Sequence, residues 1–129
     1  MAKNKKKMKK ILIVDDEPNI VMSLEYTFKK NNFEVFIARD GQEALDILKN
    51  SLPNIIILDV MMPNVDGYNT LEQIKKDERL KDTKVIFLSA KNKEKDIEKG
   101  LSLGADLYMT KPFSVKKLVE QVNELLNDN

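Results

Sequence analysis

Ile11-Leu12-Ile13-Val14-Asp15-Asp16-Glu17-Pro18 sets four apolar residues directly against three acids and a proline. An unbroken apolar run this short is a strand covered on both faces, as strands of parallel sheets are. The proline suits the first turn of a helix, and Ile20, Leu24 and Phe28 follow it four residues apart on one face. The same pattern recurs. Ile55-Ile56-Ile57-Leu58 runs into Asp59, Val85-Ile86-Phe87-Leu88 into Ser89, and Leu107-Tyr108-Met109-Thr110 into Lys111-Pro112. Phe33-Glu34-Val35-Phe36-Ile37-Ala38 admits a charge and the run at Leu107 is short, so these two read as sheet edges.

Between the runs lie amphipathic segments. One follows Asp40-Gly41 and carries Ala44, Leu45 and Leu48, ending near Asn50 before Pro53; another follows Asp66-Gly67 with Leu71 and Ile74 inward. The last opens after Ser114, a good N-cap, with Leu118, Val122 and Leu125 on one stripe. The fourth, Lys91 to Leu103, offers only Ile97, Leu101 and Leu103 as large apolar residues, so packing should hold it lightly. Five apolar runs alternating with five such segments spell repeated βα units on a parallel sheet, the α/β class.

In open α/β sheets the ligand site lies beyond the carboxyl ends of the strands. Asp15, Asp16, Asp59, Ser89 and Lys111 all fall at such ends, although about a hundred residues separate the first from the last. Any one of them alone reads equally as a helix cap or solvated turn, and for Ser89 alone that is the better reading. Together they describe one pocket. Crowded carboxylates repel and lose solvation, so a fold that gathers them needs a hard, oxygen-bound cation, which points to Mg²⁺ and phosphoryl chemistry.

The remaining composition works by exclusion. A chain of 129 residues is the size of one domain. It has neither Cys nor His, which excludes disulfides, thiolate or imidazole metal sites, and Ser-His or Cys-His nucleophiles. Any phosphohistidine must therefore come from a partner. The net charge of +1 is uneven: six lysines precede Ile11, leaving 16 basic and 21 acidic side chains after it. Residues 1–9 read as a basic, flexible, solvated tail, and residues 10–127 as the folded domain. No apolar stretch approaches a membrane span or signal-peptide core, so a cytoplasmic protein is expected.

Taken in order, Ile-Leu-Ile-Val-Asp-Asp-Glu-Pro, Ile-Ile-Leu-Asp-Val-Met-Met-Pro-Asn-Val-Asp-Gly, Leu-Ser-Ala and Gly-Ala-Asp-Leu-Tyr-Met-Thr-Lys-Pro-Phe resemble the receiver domain of two-component response regulators, a CheY-like family, over about residues 9–127. The resemblance implies a single-domain (βα)5, flavodoxin-like fold with a parallel five-stranded sheet of order 2-1-3-4-5, the order for which CheY is a standard example. It implies that Asp59 is the phosphoacceptor. Asp15 and Asp16 would hold Mg²⁺, with Mn²⁺ able to substitute, and Asp59 and the backbone carbonyl of Met61 would complete the metal site. Lys111 and Ser89 would contact the phosphoryl group. Ser89 and Tyr108 would form the switch, Tyr108 turning inward as Ser89 moves, and Lys111-Pro112 would be cis.

The implied partners are a sensor histidine kinase or phosphotransfer protein and an unknown downstream protein on the face of the fourth helix, fifth strand and fifth helix. No nucleic acid or membrane contact by this domain itself is expected. DNA-binding relatives of the winged-helix class often carry acids where Ser102 and Leu107 stand, and arginines where Lys116 to Asn123 run, so a monomer is expected without phosphate. Met61 and Lys91, two residues past Asp59 and Ser89, lack an amide or carboxylate to orient water, which implies slow self-dephosphorylation rather than enzymatic turnover.

Three rival readings differ in class. A haloacid-dehalogenase-type phosphatase needs a second Asp two residues after the first, where Met61 follows Asp59 and Glu17 follows Asp15. A flavin module needs a hydroxyl- and glycine-rich phosphate loop where Asp15-Asp16-Glu17-Pro18 stands. A phosphorylation-independent adaptor with an inactive receiver site needs no change of sequence and is the strongest of the three.

Overall fold

The structure, a computed structural model, describes residues 8–62 and 65–127. Its elements alternate as the sequence pattern predicts: β1 (Lys9–Val14), α1 (Pro18–Lys30), β2 (Phe33–Ala38), α2 (Gly41–Leu48), β3 (Ile55–Leu58), α3 (Gly67–Lys75), β4 (Lys84–Ser89), α4 (Glu94–Ser102), β5 (Leu107–Thr110) and α5 (Val115–Leu126). The five strands form one parallel sheet of order β2-β1-β3-β4-β5, with β2 and β5 at the edges. β1 begins at Lys9, inside the stretch assigned to the tail, because Lys9 and Lys10 pair with Phe33 and Glu34. Residues 1–7 of that tail lie outside the described residues.

Strand side chains alternate between faces, and the core divides accordingly. Leu12, Val14, Ile56, Leu58, Val85 and Phe87 pack with Ala44 and Leu48 of α2 and Leu71 and Ile74 of α3. Ile11, Ile13, Ile55, Ile57, Ile86 and Leu88 pack with Leu24 and Phe28 of α1 and Leu118 and Val122 of α5. Two apolar layers on one sheet explain why β3 is apolar throughout, and why β1 from Ile11 to Val14 and β4 from Val85 to Leu88 are unbroken apolar runs.

Local signals set the helix starts. Pro18 opens α1, and the side chains of Asp40, Asp66 and Ser114 accept from the backbone N–H groups of Glu43, Asn69 and Lys117 as N-caps. α4 has no side-chain cap, begins at Glu94 rather than Lys91, and buries only Gly100. A Cβ on Gly100 would stand 2.9 Å from ring atoms of both Phe87 and Tyr108, so α4 rests directly on two aromatic rings. A 3₁₀ turn at Glu78–Leu80, which the apolar pattern does not mark, precedes β4; Asp77 caps it, and Arg79 donates to the Leu48 and Lys49 carbonyls at the end of α2. The Lys111-Pro112 bond is cis, as expected.

Candidate functional site

Parallel register brings the strand ends level. Val14 pairs with Leu58, so Asp15 and Asp59 leave adjacent strands side by side, and the Asp59 N–H donates to the Val14 carbonyl at 3.0 Å. Ser89 pairs with Thr110, which sets Lys111 just beyond it, and the Lys111 N–H donates to the Ser89 carbonyl at 2.8 Å. α3 starts hard against this edge: a Cβ on Gly67 would come 2.2 Å from the Asp59 carbonyl oxygen, a gap that only glycine leaves.

Three strand-end side chains share one local geometry. Oδ1 of Asp15 accepts from the Glu17 N–H at 2.9 Å, Oδ1 of Asp59 from the Met61 N–H at 3.2 Å, and Oγ of Ser89 from the Lys91 N–H at 3.1 Å. Each such turn fixes its side chain by a bond to the backbone two residues on. In both aspartates Oδ1 is thereby engaged and Oδ2 is turned toward Lys111. The Lys111 ammonium lies 3.0 Å from Oδ2 of Asp15, 3.5 Å from Oδ2 of Asp59 and 2.6 Å from Oε1 of Glu17.

Charge at such depth is costly. Asp59 is 5% exposed and Asp15 3%. Burial first, then the neighbouring Asp15 charge, push the Asp59 carboxyl from its ordinary 3.8 to about 6, against the opposing pull of Lys111 and the Met61 N–H. Burial likewise raises Asp15, and the Glu17 N–H and Lys111 offset only part of that. Burial also works against the Lys111 charge, but its bonds to Glu17 and Asp15 prevail and raise its pKa. At neutral pH the site therefore holds an ionised, poorly solvated carboxylate beside a fixed ammonium.

Carboxylate oxygens of Asp15, Glu17 and Asp59 lie within 4.8 Å of one another, a hard-oxygen donor set that fits a divalent cation. Beside them a hollow of about 450 Å³ opens between Val60, Met61, Met62, Asp66, Tyr68 and Lys91.

Residues 11–123 match the family described as the response regulator receiver domain. The chain belongs to that family. It is a receiver domain of two-component response regulators, a signalling domain. The receiver is 42% identical over 118 residues to the alkaline phosphatase synthesis transcriptional regulatory protein PhoP of Bacillus subtilis. That match covers 92% of this chain and 48% of PhoP, so the receiver spans about half the length of that relative. Among solved structures it is similar to the Francisella response regulator 1452 receiver domain, with a TM-score of 0.85 and 36% identity over 92% of this chain and 96% of that one. It is also similar to a CheY-like receiver domain protein from Methanospirillum hungatei, with a TM-score of 0.89 and 30% identity over 95% of this chain and 96% of that one.

Of the residues the sequence singled out, Asp15, Asp59 and Lys111 converge within bonding distance. Ser89 is fully buried at the same edge. Asp16 stands apart from the three-carboxylate cluster: it is exposed and borders a neighbouring hollow with Pro18, Met22, Glu25 and Arg39. Glu17 takes part in the cluster instead, because its backbone is pinned by Asp15 and its side chain reaches Lys111. Sequence reasoning placed Glu17 only in the turn; its adjacency to two acids was the available signal. Met61 directs its N–H to Asp59 while its side chain is 55% exposed. Tyr108 stands inward, its hydroxyl donating to the Lys91 carbonyl at 2.8 Å and its ring 5.7 Å from that of Phe87. Tyr68, which no sequence signal marked, packs on the same Phe87 at 5.6 Å. Among the described residues no helix is long and apolar enough to cross a membrane.

Proposed function

We propose that Asp59 accepts a phosphoryl group from a phosphohistidine on a sensor histidine kinase or phosphotransfer protein. One observation carries this reading: the Lys111 ammonium bridges Oδ2 of Asp15 and Oδ2 of Asp59 at the carboxyl edge of the sheet. A carboxylate oxygen of Asp59 attacks phosphorus, the new P–O bond forms as the P–N bond breaks, and the imidazole leaves on the partner. Lys111 offers a compact positive charge to the phosphoryl oxygens. Ser89 donates its hydroxyl to them. Oδ1 of Asp59, held by the Met61 N–H, keeps the carboxylate from rotating.

Asp15, Asp16, Asp59 and the Met61 carbonyl would hold Mg²⁺ or Mn²⁺, with Glu17 a further acid in reach. When bound, the cation supplies charge neutralisation for the carboxylates and the incoming phosphoryl oxygens.

Phosphorylation adds about two negative charges beside Ser89, and the face of α4, β5 and α5 carries the change to a downstream protein. α4 is suited to respond because it buries only Gly100. The receiver, residues 10–127, works in the cytoplasm as a monomer until phosphorylated and promotes only its own phosphorylation and slow loss of phosphate. A stable dimer of unphosphorylated protein at micromolar concentration in sedimentation would count against the monomer.

The chemical test is incubation with acetyl phosphate or phosphoramidate and Mg²⁺. Wild type gains one phosphoryl mass and Asp59→Asn gains none. Equal gain in both, or none in wild type, refutes the reading and leaves the phosphorylation-independent adaptor in its place.

A further inference from the structure

The Lys111 ammonium has three protons to give and is surrounded by three acids. It lies 2.6 Å from Oε1 of Glu17, 3.0 Å from Oδ2 of Asp15 and 3.5 Å from Oδ2 of Asp59. Its shortest contact is thus to Glu17 and its longest to the residue that would carry the phosphoryl group. For Lys111 to meet a phosphoryl oxygen, one of these acids has to give up its place.

The three are not held equally. Oδ1 of Asp15 accepts from the Glu17 N–H at 2.9 Å and Oδ1 of Asp59 from the Met61 N–H at 3.2 Å, so each of these carboxylates is fixed by its own backbone turn. Their side chains are 4% and 6% exposed, and without the ammonium each would be a buried charge short of a partner. The Glu17 side chain is 56% exposed. Glu17 stands at the N-cap of α1, where a carboxylate could accept from the first turn, but its side chain makes no cap bond. Among the described residues its carboxylate bonds to Lys111 alone. Glu17 can rotate outward and regain solvation, which Asp15 and Asp59 cannot.

We propose that Glu17 is a positioning residue that latches Lys111: its carboxylate holds the ammonium contact that a phosphoryl group on Asp59 takes over, and it yields to water when that group arrives. The inference rests on the phosphoacceptor reading of Asp59. A phosphoryl group with about two negative charges outbids a single exposed carboxylate for a compact ammonium. A contact made before the transfer and surrendered during it adds to the barrier, so removing the latch speeds phosphorylation.

The test measures the initial rate of phosphorylation by acetyl phosphate with Mg²⁺, read by intact mass, in wild type, Glu17→Gln and Glu17→Asp. Glu17→Gln keeps the length of the side chain and removes its charge. Glu17→Asp keeps the charge but is one methylene shorter, and because the backbone at this position is pinned to Asp15 the contact to Lys111 is lost. Both variants should be phosphorylated about fivefold faster than wild type, the scale of an ion pair with one exposed partner. In the same buffer without acetyl phosphate, the Lys111 side-chain nitrogen resonance should shift in both variants, a signature that a general change of stability does not produce.

A faster Glu17→Gln beside a Glu17→Asp that behaves as wild type means that the negative charge simply repels the donor, and overturns the latch. Unchanged rates overturn it, as does slower phosphorylation of either variant, which is what loss of a metal ligand gives. A Lys111 resonance that neither substitution moves overturns it as well. In each of these cases the phosphoryl mass on wild type leaves the phosphoacceptor reading standing. Absence of phosphoryl mass on all three proteins refutes that reading and the latch with it.

Discussion

Replacing Asp59 by Asn should make the protein more stable at neutral pH, and the gain should vanish in acid. The folded protein holds the Asp59 carboxyl at about 6 against an ordinary 3.8, chiefly through burial and then through Asp15. Between those values the folded state binds more protons than the unfolded chain, so stability falls as pH rises through the window. The full cost is present above about pH 6 and absent below about pH 4. A shift of about two units corresponds to about 3 kcal/mol. The amide still buries polar atoms that the site does not fully satisfy, which brings the expected gain to about 2 kcal/mol.

The assay is urea unfolding of both proteins from pH 4 to 8 without divalent ions. The quantity to plot is the stability difference between them, in which groups common to both largely cancel. It should climb from near zero at pH 4 to about 2 kcal/mol at pH 7, a midpoint shift of about 1 M urea. Adding Mg²⁺ should narrow the gap by stabilising wild type, by about 1.4 kcal/mol at ten times its dissociation constant. A difference that is flat with pH, or a mutant less stable at pH 7, refutes the account of a buried and repelled carboxylate.

Lys111→Met removes the ammonium shared by Asp15, Glu17 and Asp59; at pH 7 it should cost about 3 kcal/mol and move the Asp59 titration above 6, and an unchanged carboxyl titration by NMR would contradict the assigned geometry. Gly100→Ala sets a helix-propensity gain of about 1 kcal/mol against a Cβ 2.9 Å from Phe87 and Tyr108, and because Phe87 is fully buried the clash should win; a higher urea midpoint would show that α4 does not rest on those rings. Phosphorylated protein should keep its phosphoryl group for minutes or longer, since neither Met61 nor Lys91 can orient an attacking water, and decay within seconds by intact mass would count against this.

Most of the fold was legible because two-sided burial leaves a strong mark. Ile55 to Leu58 could not be uniformly apolar in a strand with one wet face, and Asp40, Asp66 and Ser114 announce helix starts by the bonds their side chains make. α4 starts three residues later than the sequence pattern predicts, since Lys93 caps nothing and charged residues on either side look alike in sequence. The 3₁₀ turn at Glu78–Leu80 escaped notice because Asp77 and Arg79 secure it through bonds to each other and across to α2, which periodicity does not register. At the site, Asp15, Asp59 and Lys111 were readable from their places at strand ends. The involvement of Glu17 depends on where a long side chain swings toward a cation, and that of Tyr68 on a meeting with Phe87 and α4 across some 28 residues of chain.

The pairing of Val14 with Leu58 reaches beyond shape. Neighbouring residues of a strand point to opposite sides, so sliding β1 past β3 by a single position would part Asp15 from Asp59 and turn apolar side chains toward water. Correct alignment of the two middle strands is thus a condition for assembling the acidic pair. A copy misthreaded by one position would lack the Asp15–Asp59 pair on which the proposed phosphoryl chemistry depends.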